Sequence, residues 1–218
     1  MSQTSAHISR QHGADPWLDP MVAAMRSAGE TVLELGCGIG EDAAELTALG
    51  FRVFASDISR KMVRAAVGNA PAARFFVADL SAPLPIRSAA VHNVVASLSI
   101  HYFRWQETVA VVDEVRRVLR PGGAFAFRVN ATDDVNFGAS QGEELEPNFY
   151  HVPPDGRNNR PYKRFFDPPY KRFFDEPSVR ALLAPGWRIT SLAHRTIHRY
   201  DTPKQVWECC ASPEETTP

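Results

Sequence analysis

Val32-Leu-Glu-Leu-Gly-Cys-Gly-Ile-Gly40 is the stretch that decides the fold of this 218-residue chain. A short apolar run contains one acid, Glu34, and leads into a loop with glycine at every second position. Residues 41–49, directly behind the loop, have the composition of a helix. Glycines remove Cβ atoms and permit unusual backbone dihedrals where a ligand must approach the main chain. A strand, a glycine loop and a helix in this order predict a nucleotide-like ligand at the helix N-terminus.

The composition sets the class of protein. With 44% hydrophobic and 22% charged residues, the chain suits one globular domain with a substantial core. A formal net charge of -1 gives no electrostatic reason to expect nucleic acid or an acidic membrane as a partner. The chain has neither an apolar run of the roughly 20 residues that a membrane span needs nor a signal-peptide core at its polar N-terminus. We therefore expect a cytoplasmic protein, whose oligomeric state the sequence does not indicate.

Apolar strands alternate with helical patterns, which predicts an α/β fold with a parallel sheet covered by helices on both faces. Ser59 is a predicted N-cap, and Pro121-Gly-Gly123 ends the longest predicted helix. The predicted helices are 16–28, 41–49, 59–68, 105–120 and 177–184. The predicted strands are 31–35, 51–56, 74–78, 92–99, 124–130, 187–197 and 204–211.

The same pattern defines the domain organisation. Residues 1–15 are expected to be a flexible lead-in, 16–211 a single domain, and 212–218 a disordered tail. Residues 131–175 lack convincing periodicity, and a loop of that length predicts a lid or binding insert. Within it, Pro161-Tyr-Lys-Arg-Phe-Phe-Asp167 recurs unchanged as 169–175. Because the second copy leads directly into a predicted helix, we expect it to be the structural copy.

The glycine spacing restricts the nucleotide. A dinucleotide fingerprint places its third glycine where this chain has Glu41, and here the third glycine comes one residue early, at Gly40. An acid would repel a pyrophosphate, so NAD and FAD fit poorly. Asp57 and Asp79 follow the second and third predicted strands. Such carboxylates can accept hydrogen bonds from ribose hydroxyls and from an adenine amine, at the edge where open α/β sheets bind ligands.

These residues make the chain resemble the class I S-adenosylmethionine (SAM)-dependent methyltransferases. The resemblance covers residues 30–130 and includes Ala-Ser-Asp57-Ile-Ser, Val-Ala-Asp79-Leu and Val-Leu-Arg-Pro-Gly-Gly123. It implies a Rossmann-like, doubly wound, seven-stranded sheet, mostly parallel with an antiparallel last strand. It also implies SAM as the cofactor. The cofactor-binding residues that it implies are Glu34, Gly36, Cys37, Gly38 and Gly40 for the methionine portion, Asp57, Ile58, Met62, Asp79 and Leu80 for ribose and adenine, and Ser97 beside the sulfonium.

Methyl transfer from a sulfonium is a direct displacement that needs alignment more than acid–base chemistry. His101 and Tyr102 follow the fourth predicted strand and are the candidate catalytic residues, with His101 as the general base or, alternatively, as a residue that orients the loop. Cys37 is interpreted as a small side chain beneath the cofactor rather than a nucleophile. No residue pattern indicates a metal site. We expect a small-molecule acceptor methylated at N, O, S or a related soft atom.

Three other functions stay open at this stage. A non-catalytic SAM-binding protein would keep the same motifs, and a nucleotide-dependent oxidoreductase is disfavoured by Glu41. Asp167-Pro-Pro-Tyr170 matches the tetrapeptide of nucleic-acid adenine methyltransferases, where it directly follows the fourth strand. Here it stands far beyond that strand and straddles the junction of the two repeat copies. We interpret it as a product of the duplication.

Overall fold

The fold is a seven-stranded sheet with helices on both faces and a small second sheet at one end. The structure, a computed structural model, describes residues 16–152, 170–198 and 202–214. The helices are α1 (Asp19–Ala28), α2 (Glu41–Ala48), α3 (Arg60–Asn69), α4 (Trp105–Val118) and α5 (Glu176–Leu182). The strands are β1 (Thr31–Leu35), β2 (Arg52–Asp57), β3 (Arg74–Val77), β4 (Val91–Ser97), β5 (Leu119–Asn130), β6 (Glu143–Glu146), β7 (Phe149–His151), β8 (Tyr170–Arg172), β9 (Trp187–Ile197) and β10 (Lys204–Pro213).

The main sheet has the order β3-β2-β1-β4-β5-β10-β9. Strands β1 to β5 pair in parallel, and β10 pairs antiparallel with both β5 and β9. This confirms the predicted seven-stranded sheet with an antiparallel last strand. The order reverses direction at β1 and β4, so their carboxyl ends form the crevice in which sheets of this kind bind ligands.

Two apolar cores cover the two faces of the sheet. One contains buried residues of α4 and α5, and the other contains buried residues of α1, α2 and α3. Successive residues of β5 point alternately into them: Phe125 and Phe127 into the first, Ala124 and Ala126 into the second. Arg128 continues the second series and is fully buried. The α1 face of β5 thus carries a charged side chain toward the carboxyl edge.

Several element bounds differ from the predictions. Helix α1 begins at Asp19 instead of Pro16, and Pro20 lies in its first turn. Helix α4 ends at Val118, and the chain continues as β5 from Leu119, five residues before the predicted strand. The proline at 121 disfavours helical dihedrals in the residue before it, so the chain becomes extended earlier than predicted. At the other end, β10 extends through Pro213, which pairs with Trp187.

The predicted lid contains secondary structure that the sequence did not reveal. Strands β6, β7 and β8 form an antiparallel three-stranded sheet, hereafter the lid sheet. The buried side chain of Arg172 in β8 fastens it to the main domain, because its Nε donates to Phe103 O at 3.3 Å and its Nη2 to Glu146. The carboxylate of Glu146 also accepts from Trp105 N at 3.0 Å. The lid sheet is thus held against the start of α4.

The second repeat copy has a structural role, as predicted. It supplies β8, then Phe173 and Phe174, which are 1% and 0% exposed, and then the N-cap of α5. Asp175 Oδ1 accepts from Ser178 N at 2.9 Å, and Ser178 Oγ accepts from Asp175 N at 2.9 Å. The first copy lies outside the described residues, as do 1–15 and most of the predicted tail. In the described part of the chain, no helix has the length and apolar character to cross a membrane.

Candidate cofactor and acceptor site

The glycine loop connects β1 to α2 and has an open centre. Gly36, Gly38 and Gly40 have φ of 72°, 54° and 85°. A Cβ on Gly36 would lie 2.4 Å from Ser99 Cβ, and one on Gly40 would lie 3.0 Å from Ala66 Cβ. Among the described residues, a Cβ on Gly38 would meet no atom within 4 Å. The outer two glycines therefore allow close packing inside the protein, whereas the middle one leaves backbone open to a ligand.

Glu34 is a buried acid beside this loop. It is 2% exposed, and its Oε2 has no hydrogen-bond partner in the part of the chain that the structure describes. Burial raises the pKa of its carboxyl well above the ordinary value, and the nearby charges of Asp42 and Asp57 raise it further. A buried carboxyl with a free oxygen is suited to an ammonium group, which would supply both the hydrogen bond and the missing positive charge.

Asp57 lies at the carboxyl end of β2, and two backbone groups fix its carboxylate. Its Oδ2 accepts from Gly38 N at 2.9 Å, and its Oδ1 accepts from Ser59 N at 2.8 Å. A carboxylate has about four acceptor positions, so each oxygen can still accept from a ligand hydroxyl. Ile58 is 43% exposed beside it, and Met62 is half-buried in the first turn of α3. Ser59 caps that helix as predicted, with Oγ accepting from Met62 N at 3.4 Å.

Asp79 and Leu80 lie just beyond β3, on the same edge of the sheet. Asp79 is exposed, and its Oδ1 accepts from Ser81 N at 2.9 Å and from Ser81 Oγ at 2.7 Å. Leu80 is partly buried against the core. Val77 and Ile39, two of the exposed large apolar residues, belong to β3 and to the glycine loop. Exposed apolar side chains at a ligand-binding edge favour a flat apolar group such as a nucleobase.

Ser97 ends β4 and contacts a residue that sequence reasoning missed. Its Oγ accepts from Arg128 Nε at 2.8 Å. The guanidinium of Arg128 lies 4.7 Å from the ring centre of Trp17, whose Nε1 donates to Asp42 at 3.2 Å. The signal was present in the sequence, because Arg128 interrupts an apolar strand that is buried on both faces.

Two further buried polar groups lie near the same edge. Ser99 Oγ and Asn130 Oδ1 have no hydrogen-bond partner among the described residues, and these side chains are 8% and 1% exposed. Asn130 ends β5, on the same face of the strand as Arg128. Unsatisfied buried polar atoms are rare in folded proteins and mark sites where a ligand or water completes the hydrogen bonding.

The candidate catalytic residues form a short helical turn after β4. Residues Ile100–Tyr102 make one turn of 3-10 helix, in which His101 is 2% exposed. The rings of His101 and Tyr102 lie 4.2 Å apart, and Tyr102 faces a cavity under the lid sheet. The structure therefore brings Tyr102 to an open surface, whereas His101 lies within the protein. Their catalytic roles stay predictions.

Cys37 belongs to the apolar core beneath the loop. It is 6% exposed and packs in the cluster that contains Val32 and Ala43. Burial raises the pKa of its thiol, and the charges of Glu34 and Asp57 raise it further. A thiol held in its neutral form is a poor nucleophile, which agrees with the interpretation of Cys37 as a packing residue.

Tyr170 does not lie where a nucleic-acid adenine methyltransferase has its tetrapeptide. It is the first residue of β8 in the lid sheet, whereas the segment that directly follows β4 is the Ile100–Tyr102 turn. Residues 167–169 lie outside the described residues. The position of Tyr170 agrees with an origin of this tetrapeptide in the duplication.

Comparison with known proteins identifies a methyltransferase domain in part of the chain. A family model described as a methyltransferase domain matches residues 32–123, a range that contains all the predicted cofactor and catalytic residues. Residues 32–123 therefore belong to a methyltransferase domain of the SAM-dependent class. An uncharacterized methyltransferase of Synechocystis is 34% identical over 101 residues, which are 46% of this chain and 47% of that protein. A malonyl-[acyl-carrier protein] O-methyltransferase of Enterobacter lignolyticus is 33% identical over 105 residues, 48% of this chain and 40% of that protein.

Solved structures extend the likeness of the fold to most of this chain. A SAM-dependent methyltransferase from Methanosarcina mazei superposes with a TM-score of 0.72 at 18% identity, over 89% of this chain and 97% of that one. The magnesium protoporphyrin IX methyltransferase of Synechocystis, solved with bound S-adenosylhomocysteine (SAH), gives a TM-score of 0.62 at 18% identity, over 91% and 80%. These likenesses show the fold. The chain spans about half the length of the curated relatives it matches.

Proposed function

We propose that this methyltransferase binds SAM and transfers its methyl group to a small-molecule nucleophile at N, O, S or a related soft atom. The observation that carries the proposal is the open backbone at Gly38, between the buried carboxyl of Glu34 and the fixed carboxylate of Asp57. This arrangement offers acceptors at two separate positions, as a ligand with an ammonium at one end and a ribose at the other requires.

The proposed contacts follow the order of the strands along the edge. Glu34 accepts from the ammonium of the methionine portion, and Gly38 lets that portion lie against the main chain. Asp57 accepts from the ribose hydroxyls, with Ile58 and Met62 against the adenine. Asp79 and Leu80 read the adenine edge, and Ser97 lies beside the sulfonium. Gly36, Cys37 and Gly40 shape the loop from beneath.

When bound, the cofactor supplies a methyl group already activated by the positive charge on sulfur. The protein then has to orient the acceptor and keep water out, which is catalysis by proximity. The lid sheet and the turn Ile100–Tyr102 border the space in which an acceptor would lie. In this proposal Tyr102 helps to position the acceptor, and the buried His101 orients the turn that carries Tyr102.

A small-molecule acceptor is supported by several observations. The formal charge of -1 offers no general attraction for nucleic acid. One relative is named a malonyl-[acyl-carrier protein] O-methyltransferase, which supports oxygen as one of the possible methylated atoms. The cavity beneath the lid sheet has the size of a small-molecule site.

Two measurements test the proposal in sequence. Calorimetry with SAH should show binding at low micromolar affinity or tighter, equivalent to about 8 kcal/mol. A radiolabelled methyl-transfer assay against a pool of small metabolites then separates an enzyme from a non-catalytic SAM-binding protein. Absence of SAH binding by the intact protein would rule out the cofactor assignment. Binding without transfer to any pool would favour the non-catalytic alternative.

A further inference from the structure

A cavity of about 470 Å³ lies between the lid sheet and the segment that follows β4. Its volume falls in the range of small-molecule sites. On the side of the main domain it is lined by Tyr102 and by Arg104 and Glu107 at the start of α4. Tyr102 stands five residues after Ser97, so the wall of the cavity is continuous in sequence with the strand end that we place beside the sulfonium.

One face of the lid sheet forms the opposite wall. Glu143 pairs with His151, and His151 pairs with Tyr170, so these side chains form one row across the three strands. Phe149 lies in the next row, opposite Arg172. All except Arg172 line the cavity.

Aromatic rings cover most of this wall. The rings of His151 and Tyr170 lie 5.2 Å apart, and those of Phe149 and Tyr170 lie 6.2 Å apart with their planes 25° from parallel. Tyr170 is 42% exposed, one of the exposed large apolar residues of the described chain. Exposed ring faces attract both flat ligands and cations.

The charged groups around the cavity give an excess of negative charge. Arg104 forms an ion pair with Glu146 Oε1 at 3.0 Å, and Arg172 forms an ion pair with Oε2 of the same carboxylate. Glu107 and Glu143 also line the cavity. Among the described residues, two arginines and three glutamates leave one net negative charge at the cavity. A ligand that brings a positive charge balances it, whereas an anionic ligand increases the imbalance.

We propose that this cavity binds an arylalkylamine, an aromatic ring joined to an alkylammonium group, in its protonated form. The ring lies against Tyr170 and Phe149, and the ammonium faces Glu143 across the row that contains His151. The assignment rests on the proposed function: the methyl acceptor is recognised through a flat ring that carries a cationic substituent.

Calorimetry on the full chain, saturated with SAH, tests this with three probes of similar shape. Phenethylamine is a cation at neutral pH, phenethyl alcohol is neutral and hydrocinnamate is an anion. We expect the amine to bind about tenfold more tightly than the alcohol, equivalent to ~1.4 kcal/mol, and hydrocinnamate to bind most weakly. Glu143→Gln should reduce the affinity for the amine to that of the alcohol and leave the alcohol unchanged. Tyr170→Ala should weaken both, whereas Tyr170→Phe should keep them.

Glu144→Gln is the matched control, because Glu144 pairs with Tyr150 and points to the opposite face of the lid sheet. It accepts from Asn148 N at 2.8 Å, a bond that glutamine can also accept. This variant should bind all three probes as wild type does. Equal affinities for amine and alcohol, or strongest binding of hydrocinnamate, would overturn the proposal. So would absence of probe binding to a protein that binds SAH, and absence of SAH binding would count against the proposed function instead.

Discussion

Replacing Glu34 by glutamine should stabilise the free protein and weaken its binding of the cofactor. The wild-type carboxyl is 2% exposed, and its pKa in the folded protein is raised well above the ordinary 4.5, chiefly by burial. The ordinary value of 4.5 applies to the unfolded chain. At a pH between this value and the raised pKa of the folded protein, Glu34 keeps a proton in the folded state that it has lost in the unfolded state. The free energy of unfolding therefore falls as pH rises, by about 1.4 kcal/mol per pH unit, until the folded pKa is passed. Glutamine has the same shape and no such titration.

The effect on affinity has the opposite sign. A hydrogen bond between a carboxylate and a charged donor contributes about 1.5–3 kcal/mol, so Glu34→Gln should weaken SAH binding roughly 10- to 150-fold. In wild type the ammonium of the ligand favours the ionised carboxyl, and affinity should increase as pH rises toward the folded pKa. The variant should lose this component of the pH dependence.

Urea unfolding between pH 5 and 9 and calorimetry with SAH over the same range measure the two effects. Glu30→Gln is the control, because it removes the same charge from an exposed residue just before β1. It should follow wild type in both assays. A Glu34→Gln variant whose unfolding free energy changes with pH in parallel with wild type would refute the buried, protonated carboxyl. Unchanged SAH affinity would refute its contact with the ammonium.

Three further predictions test the loop and the lid sheet. Gly36→Ala should lower the free energy of unfolding, measured in urea, by about 1–3 kcal/mol, because the new Cβ meets Ser99. Gly38→Ala places its Cβ in open space, so it should lose less stability but bind SAH at least about tenfold more weakly. The reverse pattern would contradict the assignment of the two glycines. Arg172→Leu should lower the free energy of unfolding by about 2–4 kcal/mol, because it removes a buried guanidinium from its hydrogen-bond partners. Amide hydrogen exchange should become faster in β6 and β7. Unchanged exchange in these strands would show that another contact holds the lid sheet. The Cys37 thiol should resist alkylation in the native protein, since burial keeps it neutral, and rapid labelling at pH 8 without unfolding would contradict its placement in the core.

The main sheet and the position of the candidate cofactor residues at its carboxyl edge were predictable because their signals are local. Strand, glycine loop and helix are consecutive between Val32 and Leu49, so the chain itself brings the loop to the end of β1. Asp57 and Asp79 follow successive parallel strands, and such strands end at the same edge of a sheet. The cap at Ser59 depends only on residues within one turn.

The lid sheet was not predictable in the same way. Strand β7 pairs with β8, and 18 residues, 152–169, separate them in sequence. Strands of three or four residues show little periodicity, and their pairing depends on contacts such as Arg172 with Glu146. The sequence identified the repeat, and the packing of Phe173 and Phe174 shows why the second copy is structural.

The sequence by itself determined the methyltransferase domain, the order of the elements and the acids at the carboxyl edge of the sheet, because neighbouring residues carry those signals. Only the tertiary structure decided that Glu34 is buried, and that Tyr170 and Tyr102 line one cavity. It also showed that, among the described residues, one oxygen of Glu34 has no hydrogen-bond partner and Gly38 rather than Gly36 faces open space. Burial, open space and cavities depend on which distant segments pack together, and a linear pattern does not contain that information.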